Sequence, residues 1–96
     1  SVYTGEVINS KRNGIGIFHT PKQFYEGEFI NDLYDGFGYL ETIKKICYLG
    51  EFKNDNKSGT GVQFSLVDSY IYEGEWLNNH KNGIGKEILP DNSEFE

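Results

Sequence analysis

Three kinds of residue in this chain could do chemistry: a recurrent Gly-x-Gly, a row of glutamates and two histidines. The glycine pairs stand at Gly14/Gly16, Gly36/Gly38, Gly59/Gly61 and Gly83/Gly85. A phosphate-cradling loop needs a third glycine and a helix N-terminus behind it. Ile17-Phe18-His19 after Gly16 supplies neither, and the other copies fail likewise, so the pairs read as structural. Glu6, Glu28, Glu51 and Glu75 could furnish paired carboxylates. Neighbours would stand roughly 10 Å apart, at or beyond the separation of an inverting glycosidase pair, and nothing marks a cleft around them. They read as a solvated acidic stripe or as structural hydrogen-bond acceptors, with docking of basic partner segments as the functional alternative. His19 and His80 fall in different parts of the chain, on the order of 30 Å apart in a stacked fold, and cannot share a metal. The expectation is no catalytic residue, no cofactor site and no metal site.

The charge balance narrows the partners. Net charge is −6 and the pI about 4.8, whereas a surface that grips phosphates needs a basic face. The basic residues are scattered, so nucleic acid is excluded as a partner and an anionic membrane is disfavoured. Cys47 is the only cysteine, which rules out an intrachain disulfide or a cysteine-based zinc site and suits an intracellular, cytoplasmic protein. No apolar run of about 18 residues is present, so no membrane-spanning helix is expected.

The elements that hold these residues follow from a repeat. Hydrophobic residues are 36% of the chain and aromatics 16%, with 12 glycines and 2 prolines, which points to large rings lying over bare backbone in strands. Tyr3, Tyr25, Tyr48 and Tyr72 each open the same pattern. Gly5, Gly27, Gly50 and Gly74 come two residues later, each followed by one of the glutamates, then Val7, Phe29, Phe52 or Trp76, and then Asn9, Asn31, Asn54 or Asn78. The Gly-x-Gly closes each unit. Three glycine positions in four units account for all 12 glycines, so the register is not accidental. Length varies only after the Gly-x-Gly, where units join.

Each unit reads as a β-hairpin. Alternation places the tyrosine, first glycine, ring and asparagine on one face and the glutamate on the other. Groups such as Asp32-Leu33-Tyr34-Asp35 and Asp55-Asn56-Lys57-Ser58 read as four-residue loops. With such loops, Phe29 faces Gly38, Phe52 faces Gly61 and Trp76 faces Gly85, a ring covering a glycine across the pair. Val7 takes the ring's place in the first unit, so that end should pack less well. Because one hairpin is marginal alone, four must stack. The predicted fold is all-β: an elongated single-layer antiparallel β-meander of about four hairpin repeats and about eight strands.

Tyr48-Leu49-Gly50-Glu51-Phe52 and Tyr72-Glu73-Gly74-Glu75-Trp76, each followed by an asparagine and a Gly-x-Gly, resemble the MORN repeat (membrane occupation and recognition nexus). The resemblance covers essentially the whole chain as one array over 1–96, with units starting near Tyr3, Tyr25, Tyr48 and Tyr72 and a further one beginning at Phe95. The sequence therefore reads as a fragment of a longer chain. It departs from the family in Val7 and in Ser10, Asp32, Asp55 and Asn79, where a glycine often follows the asparagine. The resemblance implies a non-catalytic scaffold or protein-interaction module, at a cytoskeletal or membrane-associated structure. It would present an aromatic and acidic groove to a helical or extended protein segment, with homo-oligomerisation through open sheet edges also expected. Alternatives are a phosphoinositide or membrane-association module and an accessory regulatory region of a multidomain enzyme. The aromatics expected to carry partner binding or structure are Tyr25, Phe29, Tyr48, Phe52, Tyr72 and Trp76.

Overall fold

Each of the four asparagines begins a tight reversal rather than ending a strand. Asn9-Ser10, Asn31-Asp32, Asn54-Asp55 and Asn78-Asn79 all have both φ angles between 48° and 71°. Two consecutive left-handed residues make the type I′ turn, whose twist matches that of the strands it joins. Asn and Asp tolerate this backbone because their short side chains bond locally. The computed structural model describes residues 1–89 and the backbone of Glu94–Phe95. The strands are β1 (Val2–Ile8), β2 (Lys11–His19), β3 (Gln23–Ile30), β4 (Leu33–Thr42), β5 (Ile46–Lys53), β6 (Asn56–Ser65), β7 (Ile71–Leu77), β8 (His80–Ile88) and the two-residue β9 (Glu94–Phe95). They pair antiparallel in chain order in one open sheet. The all-β meander of hairpins is as expected, and its extents of 48 × 26 × 15 Å fit an elongated single layer. The expected further unit at Phe95 falls among residues 90–96, whose side chains lie outside the described residues.

The two-residue turns correct the expected four-residue loops and with them the cross-strand pairs. Phe29 pairs with Tyr34, Phe52 with Lys57 and Trp76 with Lys81, not with Gly38, Gly61 and Gly85. Between units the same rings face the first glycine of the preceding Gly-x-Gly: Gly14 with Phe29, Gly36 with Phe52, Gly59 with Trp76. The second glycine pairs instead with the glycine after the tyrosine, as Gly27 with Gly38 and Gly50 with Gly61. A register shift at the glutamate reconciles the two pairings inside each hairpin. Counting along an uninterrupted ladder could not reveal that bulge.

The ring that covers the paired glycines is the tyrosine. A Cβ placed on Gly38 would fall against the Tyr25 ring, 2.5 Å from Cε1. The tyrosine hydroxyls reach over the glycines and donate to the glutamate carbonyls, Tyr25 to Glu28 at 2.8 Å and Tyr48 to Glu51 at 2.9 Å. Those carbonyls lie at the bulge, so each hydroxyl pins its ring to the point where the register shifts.

Candidate functional site

The core is a zigzag of rings on one face of the sheet. Tyr3 meets Phe29 edge-on at 5.3 Å, Phe29 meets Tyr25 at 5.1 Å, Tyr25 meets Phe52 at 5.4 Å and Phe52 meets Tyr48 at 5.1 Å. Trp76 continues the line between Tyr48 and Tyr72, at 5.3 Å from each. Edge-to-face contacts at these separations add to the burial of large apolar area. The ring of each later unit wedges against the tyrosine before it, so the contacts that make the core also join the units.

All six aromatics singled out in the sequence are buried, from Tyr25 at 0% to Tyr72 and Trp76 at 5% exposure. They form a floor. Over it lies a second layer with no counterpart in the sequence reading: Arg12, Tyr34, Lys57 and Lys81, at the same place in each unit. Tyr34 stacks on Tyr25 at 3.7 Å, and the Arg12 guanidinium lies 4.3 Å from the centre of the Phe18 ring. Lys57 Nζ sits 5.0 Å from the Trp76 ring, and Lys81 Nζ 4.9 Å from the Tyr72 ring. The only signal in sequence was a long side chain three residues after each turn asparagine.

Turn side chains clasp each unit to the one before. The Asp32 carboxylate accepts the Arg12 amide at 2.7 Å and its Nε at 3.1 Å, Asp55 accepts the Tyr34 amide at 2.7 Å, and Asn79 accepts the Lys57 amide at 2.8 Å. In return the amides of Asp32, Asp55 and Asn79 donate to the carbonyls of Arg12, Tyr34 and Lys57. The amide of Arg12, reinforced by its guanidinium, holds the Asp32 carboxyl below the ordinary range. A lowered carboxyl contributes stability above the unfolded pKa of about 3.9 and loses it as pH falls through the folded value. The Asp32 carboxyl carbon is therefore expected to titrate below that of an unstructured aspartate in an NMR pH series. A midpoint at or above the unstructured value would contradict the clasp.

Between the turns and the unit joints, a groove of about 480 Å³ opens on the ring face. Phe18, Tyr34 and Leu40 give it apolar and aromatic walls, Asp32 and Asp55 an acidic side, and Arg12 and Lys57 its cations. Arg12 is engaged by Asp32, while Lys57 donates to the Gln63 side-chain oxygen at 2.7 Å. Burial, with Lys81 as a second cation nearby, pushes the Lys57 amine below its usual range.

The glutamate row occupies the opposite face. Glu6, Glu28, Glu51 and Glu75 each accept the amide nine residues on, from Ile15, Phe37, Thr60 and Ile84, at 2.6–2.9 Å. Each carboxylate lies over the first glycine of its Gly-x-Gly; Gly36, at φ 104°, has Glu28 where a side chain would be. These carboxylates therefore act as structural hydrogen-bond acceptors. The aromatic row and the acidic stripe therefore do not share a groove; the carboxylates on the ring-face groove are Asp32 and Asp55. His19 is on β2 and His80 on β8, in the first and fourth hairpins.

The MORN-repeat family model matches four stretches: residues 3–23, 25–41, 48–64 and 72–94. The chain belongs to the MORN-repeat family. The tyrosine, first glycine and glutamate of the MORN motif are thus one device: a ring over two glycines, a hydroxyl on the glutamate carbonyl and a carboxylate on the bulge amide. No curated protein matches this MORN array closely enough to count as a relative. The family is generally a non-catalytic repeat module, associated with membrane or cytoskeleton-related proteins. No helix among the described residues is long and apolar enough to cross a membrane.

Proposed function

We propose that this MORN array is a non-catalytic scaffold whose ring-face groove takes up a protein segment, inside the cell at a cytoskeletal or membrane-associated structure. One observation carries the reading: the groove spans Arg12 to Asn79, with walls from all four hairpins, on a floor made rigid by rings. It offers apolar and aromatic walls and charges of both signs, the mixture that fixes a bound peptide's register. The groove is lined by Phe18, Tyr34, Leu40, Asp32 and Asp55 rather than by the six floor rings. Arg12, Lys57 and Lys81 share a register, which gives a membrane reading local support. Asp32 and Glu87 already pair with the first and last of them.

The test is selection of peptides on the folded chain from a random 16-residue library, followed by calorimetry. Selected peptides should bind at least tenfold more weakly to Phe18→Glu and Leu40→Glu, with circular dichroism unchanged. Binders indifferent to both changes would remove the groove from consideration. Sedimentation with phosphoinositide-containing vesicles should leave the chain in the supernatant; salt-sensitive pelleting with anionic but not neutral vesicles would favour the membrane alternative.

A further inference from the structure

A sheet one layer thick has two solvent faces, and here they differ in chemistry. Among the large apolar side chains of the eight longer strands that are well exposed, only Val7 belongs to the ring face. Ile15, Ile17, Phe37, Leu49, Ile71 and Ile84 stand on the other, exposed from 39% at Ile17 to 82% at Ile84. The register makes part of this face continuous. Glu26, Tyr39, Leu49, Val62 and Glu73 lie side by side on five successive strands, and Phe64 and Ile71 pair in the next row. An apolar centre is thus bounded at both ends by a carboxylate. Among the described residues this face holds seven glutamates against Lys11, Lys53 and Lys86. Lys86 stands across from Glu73, and Lys45 reaches Glu41 at 3.8 Å. The chain's negative charge is therefore gathered on the face where its apolar side chains are bare.

We infer that this second face docks an amphipathic α-helix with an apolar stripe flanked by basic residues, independently of the ring-face groove. Charge complementarity sets the sign: carboxylates bounding an apolar patch favour Lys or Arg at the stripe's ends. Backbone chemistry sets the form. A segment laid on the middle of a sheet face meets side chains and no free amides or carbonyls, so its own backbone must be satisfied internally, as a helix does and an extended strand does not. Geometry sets the spacing. Glu26 and Glu73 are four strand intervals apart, about 19 Å, which a helix covers in about 13 residues.

The probe is a synthetic 18-residue helical peptide with a leucine stripe and lysine pairs 13 residues apart, beside a counterpart carrying glutamates for the lysines. Amide shifts on the labelled chain are expected to move saturably at Tyr39, Leu49 and Val62 with the basic peptide only. Leu49→Asp should weaken binding at least tenfold. The exposed double change Glu26→Lys/Glu73→Lys should reject the basic peptide and accept the acidic one, and it keeps the test open if Leu49→Asp fails to fold. Phe18→Glu, which disables the groove, should leave this binding intact, so the two sites fail separately. No saturable binding, equal affinity for both peptides, or shifts confined to Phe18 and Leu40 would overturn the inference. So would reversible self-association of the chain abolished by Leu49→Asp, since the occupant would then be a second copy.

Discussion

Trp76→Ala should cost about 3–5 kcal/mol, the range for removing a large buried ring, and lower the melting temperature by more than about 10 °C in a chain of this size. The indole is 5% exposed, donates from Nε1 to the Gly61 carbonyl at 3.2 Å, and meets the edges of both Tyr48 and Tyr72. Its loss opens a cavity, removes the indole hydrogen bond and takes away the surface beneath the Lys57 ammonium. Nothing behind a single layer can move in to fill the space. Because neighbouring units carry the stability, amide exchange should rise first across β6–β8 and least in β1–β3. An unchanged melting temperature would contradict the placement of this ring.

Gly50→Ala should be as damaging for the opposite reason. A Cβ at Gly50 would lie 2.5 Å from the Gly61 Cα and 2.7 Å from the Thr60 carbonyl oxygen. Both obstacles are backbone of the paired strand, so relief requires β5 and β6 to separate at the point where the Tyr48 ring lies across them. Overpacking by one methyl commonly costs about 1–3 kcal/mol, and a collision with backbone belongs at or above the upper end. Thr60→Ala, on an exposed position of the same hairpin, should change the urea midpoint little. Equal stability of wild type and Gly50→Ala would show that these glycines are not there for close approach.

Much of this was legible because the pattern repeats. The tyrosine–glycine–glutamate spacing and the closing Gly-x-Gly define four hairpins, and their stacking follows from what one hairpin cannot bury. The pairing inside each hairpin was not legible, and the reason is local. Asn31-Asp32 makes a two-residue reversal without the glycine that usually announces one, so Asn31 read as the end of a strand and Leu33–Asp35 as loop. The bulge at Glu28 then shifts the ladder, and counting assigned Phe29 to Gly38 when Tyr25 is the ring that lies there. The groove was hidden for a further reason. Arg12, Tyr34, Lys57 and Lys81 differ in type, and only their shared place over the ring floor makes them a set. Val7 behaved as its size suggests: it is 56% exposed, at the end where the ring row stops.

These features bear on function through rigidity. A floor of interlocked rings fixes the groove on one face and the spacing of Glu26 and Glu73 on the other, so both candidate docking surfaces are preformed and little ordering cost falls on the array when a segment binds. The glutamates of the motif are tied to backbone amides on the bulge. Their carboxylates answer to the fold first and to partners second.

The most direct test of the ring-over-glycine architecture is the proton spectrum of its glycines. Tyr3, Tyr25, Tyr48 and Tyr72 lie over Gly16, Gly38, Gly61 and Gly85, so the α-protons of those four should be displaced upfield and show nuclear Overhauser contacts to the tyrosine ring protons. Glycine α-protons at unstructured shifts, or contacts from Gly38 and Gly61 to Phe29 and Phe52 in place of the tyrosines, would contradict it.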